Sequence, residues 1–334
     1  MELLAIKPNQ INGTVMMEDI ITPIEPAVST SLSFIQANTE TVTLSEMKEK
    51  HIIPTFFKDN ETLISHIEFI EATQEVVSNH YTGETILLPS IKVSHPIKGR
   101  IPSAMNKPAN QLEEWEKTLY YERMMFIIEI PTIQDSIGGN PLSLTIGGVK
   151  SFSLDNLYGK KGSDEHFKIF LGFKNSVCTN LCVWSDGLYK DVKVNSIGQL
   201  MACIRTLLEN YNAVFHLDQM RRLNDFSLTE SQFAHVIGRC RLYQSLPHHL
   251  KKDITPLLFG DNQIGAVCKD YYKDESFCRD AEGNINLWRL YNLFTGVNKS
   301  SYIDNFLDKA VNAYHFAEQL RWALEDKSSS WFLN

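Results

Sequence analysis

Hydrophobic and polar positions follow two different rhythms along this chain. From about Thr85 to Val194, short runs rich in branched and aromatic residues (TILLPSIKV, YYERMMFIIEI, LSLTIGGVKSF, HFKIFLGF, NSVCTNLCVW, DVKV) are separated by Gly, Asn, Asp and Pro, the pattern of strands and turns. In YYERMMFIIEI, Tyr121, Arg123, Met125, Ile127 and Glu129 share one face, and Glu122, Met124, Phe126, Ile128 and Ile130 the other. NQLEEWEKTL predicts a helix before that strand, with Asn110 as N-cap. Glycine pairs at Gly138 and Gly147 predict turns on either side of a strand.

After Asn195 the period becomes helical. SIGQLMACIRTLLENY sets Ile197, Leu200, Met201, Ile204, Leu207 and Leu208 on one stripe, and helical segments continue to about Asp326. Thr43 with Glu46, and Thr229 with Gln232, have the spacing of capping boxes, while Pro54 and Pro247 limit the helices they open. A short strand near Ile64 and a helix from about Glu68 to His80 are expected between them. Pro8, Pro23 and Pro26 interrupt a polar opening stretch without sustained period. The expected architecture is α+β: a β-rich N-terminal half, mostly antiparallel sheet, followed by a helical C-terminal half. Its expected divisions are a loosely structured arm over 1–42, a sheet region over 43–195 and a helical region over 196–334.

Composition narrows the setting. The chain has 334 residues, 43% hydrophobic and 22% charged, which is ordinary globular usage. No apolar run reaches the roughly 18 residues a membrane span needs, and the opening segment lacks the pattern of a secretory signal. Six cysteines without framework spacing point to free thiols in a reducing compartment, so a cytoplasmic protein with no membrane partner is expected. The net charge of −8 is uneven: residues 1–90 hold four basic against thirteen acidic side chains, and residues 91–174 eleven against nine. The middle of the chain can therefore present a basic face to an anionic partner, although it lacks the dense basic stripe of a dedicated duplex binder.

Familiar catalytic signatures are missing: no nucleotide-binding glycine loop, no nucleophile elbow and no H-E-x-x-H zinc helix. Cys178 and Cys182 have no second close cysteine pair to complete a zinc site, and no metal or cofactor is expected. Asp304 and Asp308 share a helix face, where like charges need solvent or a bridging cation. The most suggestive stretch runs from Ser94 to Pro102. Lys98 and Arg100 could hold phosphates there, with Arg123, Lys160 and Lys161 extending the contact and Tyr120 or Tyr121 supplying a stacking face. The competing reading is a structural loop whose arginine binds Glu122 or a carbonyl. Lys299, beside Ser300 and Ser301, has the look of a generic anion site or of a simple helix cap.

SHPIKGRIP, EKTLYYERM, IGGVKSF, DNLYGKKG, GFKNSVCTNLCVW, ESQFAHVIGRCRLYQ, LWRLYNLFTGVNKSSYID and SSSWFLN together resemble the family called domain of unknown function 3871, from about His51 to Asn334. That family occurs in Bacteroides-type bacteria, often with integrated mobile elements, and has no established activity, so the resemblance implies no catalytic residue. NSVCTNLCV and the asparagine-rich helix pair around Asn292 and Tyr302 are also similar to the phage/plasmid-like family called domain of unknown function 932, which implies handling of plasmid or phage DNA.

Three functional readings stand at this point. The first is an accessory protein of a mobile element that binds single-stranded nucleic acid through Lys98, Arg100, Arg123, Lys160 and Lys161, with Tyr120 or Tyr121 stacking. The second is a non-catalytic module that binds a host or element protein, including an inhibitor of host defence. The third is an enzyme of unrecognised type, with His95 as acid or base near Glu122 and Arg100.

Overall fold

The computed structural model describes residues 33–51, 63–152 and 164–333. At its centre lies a six-stranded antiparallel sheet. In chain order its strands are β1 (Glu40–Val42), β2 (Ser90–Val93), β5 (Arg123–Ile137), β6 (Asn140–Ser151), β7 (Glu165–Asn175) and β8 (Leu181–Val194), and they pair in the order β1-β2-β5-β6-β7-β8. A separate two-stranded ribbon, β3 (Pro96–Arg100) with β4 (Lys117–Tyr121), stands between β2 and β5 in sequence. A further short pair, β9 (Ser227–Leu228) with β10 (Ile285–Asn286), lies among the helices.

Helices α1 (Leu44–Lys50) and α2 (His66–His80) precede the long strands. After β8 come α3 (Ile197–Asn210), α4 (Ala213–Arg222), α5 (Glu230–Ser245), α6 (Asp261–Lys273), α7 (Leu287–Asn298) and α8 (Ile303–Glu325). The α+β reading is what the molecule shows. The Thr43 and Thr229 capping boxes are formed, with each N3 side chain returning to the N-cap amide.

Both faces of the sheet are buried, which is why its central strands read as nearly unbroken apolar runs. On one face, Met124, Phe126, Ile128, Phe167, Ile169 and Phe173 join a large core with α2, α3 and the helical half. Phe69 of α2 sits edge-on to Phe126 and Phe167, with centroids 5.1 and 4.8 Å away. On the other face, Met125, Ile127, Val149, Phe170 and Leu188 pack beneath Ile303, Phe306, Leu307 and Ala310, the first turns of α8. The same helix then runs on into the large core through Tyr314, Phe316 and Leu320. Residues 33–42 belong to the packed fold: Phe34 and Ile35 are buried against the α8 face, and the Gln36 and Ala37 amides donate to the Lys299 carbonyl.

The structure corrects four local expectations. NQLEEWEKTL is not a helix: it makes two single 3-10 turns (Ala109–Gln111, Glu114–Glu116) and then enters β4, because pairing with β3 satisfies its backbone. YYERMMFIIEI is not one strand. It breaks at Glu122, so Tyr121 joins the core of Met124 and Phe126 while Met125 and Ile127 face α8. Ile64 lies in no strand, and α2 begins directly at His66. Gly138 and Gly139 do form the β5–β6 turn, with φ of +56° and +81°. Gly147 marks no turn: it is mid-strand, where a Cβ would lie 2.0 Å from the Phe126 carbonyl oxygen.

Candidate functional site

Because α8 covers only part of its sheet face, the ends of β5 to β8 beyond it remain open. Each strand changes character there at period two. Met125 gives way to Arg123, Val149 to Ser151, Phe170 to Lys168 and His166, and Leu188 to Lys190. Arg123 is in register with Ser151, and His166 with Lys193, while Phe167, the residue after His166, pairs with Lys150. A polar row of Arg123, Ser151, His166 and Lys193 therefore crosses four strands, about 14 Å at the usual strand spacing.

Behind this row is a cleft of about 340 Å³ lined by Val149, Ser151, His166, Phe167, Lys168, Lys190, Asp191 and Lys193. Its charges are ordered by α8. Asp304 and Asp308, one turn apart, do not repel across solvent; the Arg123 guanidinium meets Asp304, and Asp308 lies 2.7 Å from Lys168 and 3.1 Å from Lys190. The Lys168 ammonium also donates to the Asp304 carbonyl at 2.6 Å. Burial alone would raise the Asp308 carboxyl, but hydrogen bonds and charge from Lys168 and Lys190 together outweigh it and hold the group below the usual carboxylate range. Lys193 and His166 share Asp191 at 3.3 and 3.4 Å. Among the described residues, three ammonium groups thus face two carboxylates, and Lys190 and Lys193 keep about half of their side-chain surface in solvent (53% and 50%).

A second cleft, of about 200 Å³, lies on the β1–β2 side of α8 and is lined by Ala37, Asn38, Thr39, Ser94, His95, Glu122, Arg123, Tyr302 and Ile303. Arg123 connects the two, since it lines this cleft and pairs in register with Ser151 of the other. His95 approaches Glu40 at 3.3 Å and Arg123 approaches Glu122 at 3.3 Å. The His95 and Glu122 anticipated as a possible pair therefore do line one cleft, whereas Arg100 is not among its walls.

The other sequence-predicted residues are spread along the ribbon. Pairing of Lys98 with Leu119 and of Arg100 with Lys117 puts Lys98, Arg100 and Lys117 on one ribbon face. Lys98 is exposed; Arg100 is half-buried and donates to the Lys107 carbonyl, a contact of the structural kind. Tyr120 is half-buried, edge-on to Phe152. Tyr121 is buried, its ring stacked on His51 with centroids 5.8 Å apart, so it presents no free face. Lys160 and Lys161 lie outside the described residues. Lys299 is buried and gives its ammonium to the Cys178 carbonyl and the Thr179 hydroxyl, so it tethers the β7–β8 turn and offers no open anion site.

The sequence does not mark Lys168, Lys190, Lys193 or His166, and it points to Tyr302 only as part of the asparagine-rich helix pair. The signal available was parity: in HFKIFLGF the polar residues occupy alternate positions at one end only, which marks the edge of whatever covers that face. What lies across from them, on a helix more than a hundred residues later, is a tertiary fact.

Residues 14–333 match the family described as Domain of unknown function, B. Theta Gene description (DUF3871), and the chain belongs to that family. No curated protein and no solved structure matches it. Among the described residues, no helix is long and apolar enough to cross a membrane.

Proposed function

We propose that this family member is an accessory protein of a mobile element that binds single-stranded nucleic acid across the open end of its sheet. The observation that carries this reading is the cation excess of the larger cleft. Among the described residues, Asp308 is shared by two ammonium groups and Lys193 adds a third cation, so a phosphate entering between Lys190 and Lys193 meets an excess of positive charge. Its size favours one strand: a cleft of about 340 Å³ admits a phosphate and sugar, while a duplex would touch only its rim. Lys98, Arg100 and Lys117 on the ribbon give a second group of cations, next in sequence to β5 and Arg123. The mobile-element setting rests on the family resemblance alone.

Fluorescence anisotropy with labelled single-stranded and duplex oligonucleotides, at low and at physiological salt, tests the reading. The expected result is salt-sensitive binding that favours the single strand. Absence of binding at micromolar protein in low salt would overturn it.

A further inference from the structure

We propose that the smaller cleft is a nucleobase subsite, with Tyr302 as its stacking residue; this rests on the nucleic-acid reading above and identifies where a base, as opposed to a phosphate, is held. Stacking needs an aromatic face in solvent beside the cationic path. Tyr121 lacks one, being buried against His51, and Tyr120 is packed towards Phe152. Tyr302 has one: it is 67% exposed, lines the cleft, and stands at the N-cap of α8 without making a capping hydrogen bond. Its backbone, not its ring, is used by the fold, since its carbonyl accepts from the Asn305 amide at 3.0 Å.

The walls supply what the edge of a base requires. The Ser94 hydroxyl accepts the Arg123 amide at 3.1 Å and keeps its own proton to donate. Glu122 can accept from an exocyclic amine, and His95 adds a ring nitrogen. Two buried polar atoms have no partner among the described residues: the Thr39 hydroxyl in the cleft wall, and, outside the cleft lining, Asp304 Oδ1 beside Arg123. Buried polar atoms are ordinarily satisfied, and the Thr39 hydroxyl is a group that a polar ligand in this cleft could use. Arg123, bound to Asp304 and Glu122 between the two clefts, would then lie between base and phosphate.

The test compares wild type, Tyr302→Phe and Tyr302→Ala by anisotropy with a short single-stranded oligodeoxynucleotide, repeated with the same oligonucleotide carrying abasic sites. Thermal melts confirm that the variants fold. Tyr302→Ala should lose about tenfold in affinity, Tyr302→Phe should stay near wild type, and the slope of log K against log salt should not change, because no phosphate contact is removed. The Tyr302→Ala defect should vanish on the abasic strand. If wild type binds and Tyr302→Ala binds equally well, the subsite is wrong and the phosphate cleft stands. If wild type does not bind, both fail.

Discussion

The Lys150 ammonium and the Glu165 carboxylate meet at 3.0 Å inside the protein, with 0% and 7% of their side chains exposed. Glu165 also accepts the Ile64 amide at 2.9 Å, and the ammonium lies over the Phe167 ring, 4.3 Å from its centroid. The pair therefore ties the start of the α2 region to the sheet beneath the open end. Breaking a buried ion pair by removing one member is costly, so Lys150→Met or Glu165→Gln should each cost about 3–5 kcal/mol in urea unfolding. The double variant Lys150→Met, Glu165→Gln, which keeps an acceptor for the Ile64 amide, should lose less than the sum of the two single variants, and additive losses would contradict the account.

Acid should destabilise the protein well before its carboxylates titrate. Burial lowers His51 to about 4 and His216 to about 3, and burial together with the neighbouring His51 holds His66 well below the ordinary value. The native state thus refuses protons that the unfolded chain accepts below about pH 6.5, so stability falls as pH falls from there towards 4. The urea midpoint measured across this window should drop, and His216→Phe should reduce the slope by close to one proton. A flat profile would rule the mechanism out.

Gly147→Ala should be severely destabilising, by about 3 kcal/mol, because the new methyl would collide with the backbone oxygen of Phe126 and not with a movable side chain. Gly198→Ala, in α3 with nothing within 4 Å of the new Cβ, is the matched control and should be neutral or slightly stabilising. Thermal melts of the two variants decide.

These cases show what was legible in the sequence. Capping boxes at Thr43 and Thr229, the Gly138–Gly139 turn and the helical stripe of Ile204 and Leu207 are local, and local chemistry decides them. Gly147 looks like a turn residue in sequence because a glycine signals close approach as well as reversal, and only the neighbouring strand distinguishes the two. The candidate site was visible in fragments: Arg123, His95 and Glu122 line the smaller cleft, but nothing near them in sequence indicates that Asp304, almost two hundred residues later, neutralises the guanidinium. Lys168, Lys190 and Lys193 lie in strands whose sequence otherwise reads as core. Tyr121 drew attention for its ring, and the break at Glu122 turned that ring inward.

The ribbon should contribute to binding independently of the cleft. Lys98 and Arg100 share one face and belong to a separate two-stranded element. Lys98→Ala should weaken single-strand binding without altering the melting temperature by more than a degree or two, whereas adding Arg100→Ala also removes the contact to the Lys107 carbonyl and should lower that temperature. Unchanged affinity would confine the interface to the sheet.

The most direct test of the central claim is the salt dependence of single-strand binding for wild type and for Lys190→Ala, Lys193→Ala. Both side chains are half exposed, so the variant should fold as wild type does. Each phosphate contact on a single strand contributes about 0.7 to the slope of log K against log salt, so losing two should make the slope shallower by roughly 1.4 as affinity falls. A variant that binds with the wild-type affinity and slope would show that nucleic acid does not occupy this cleft.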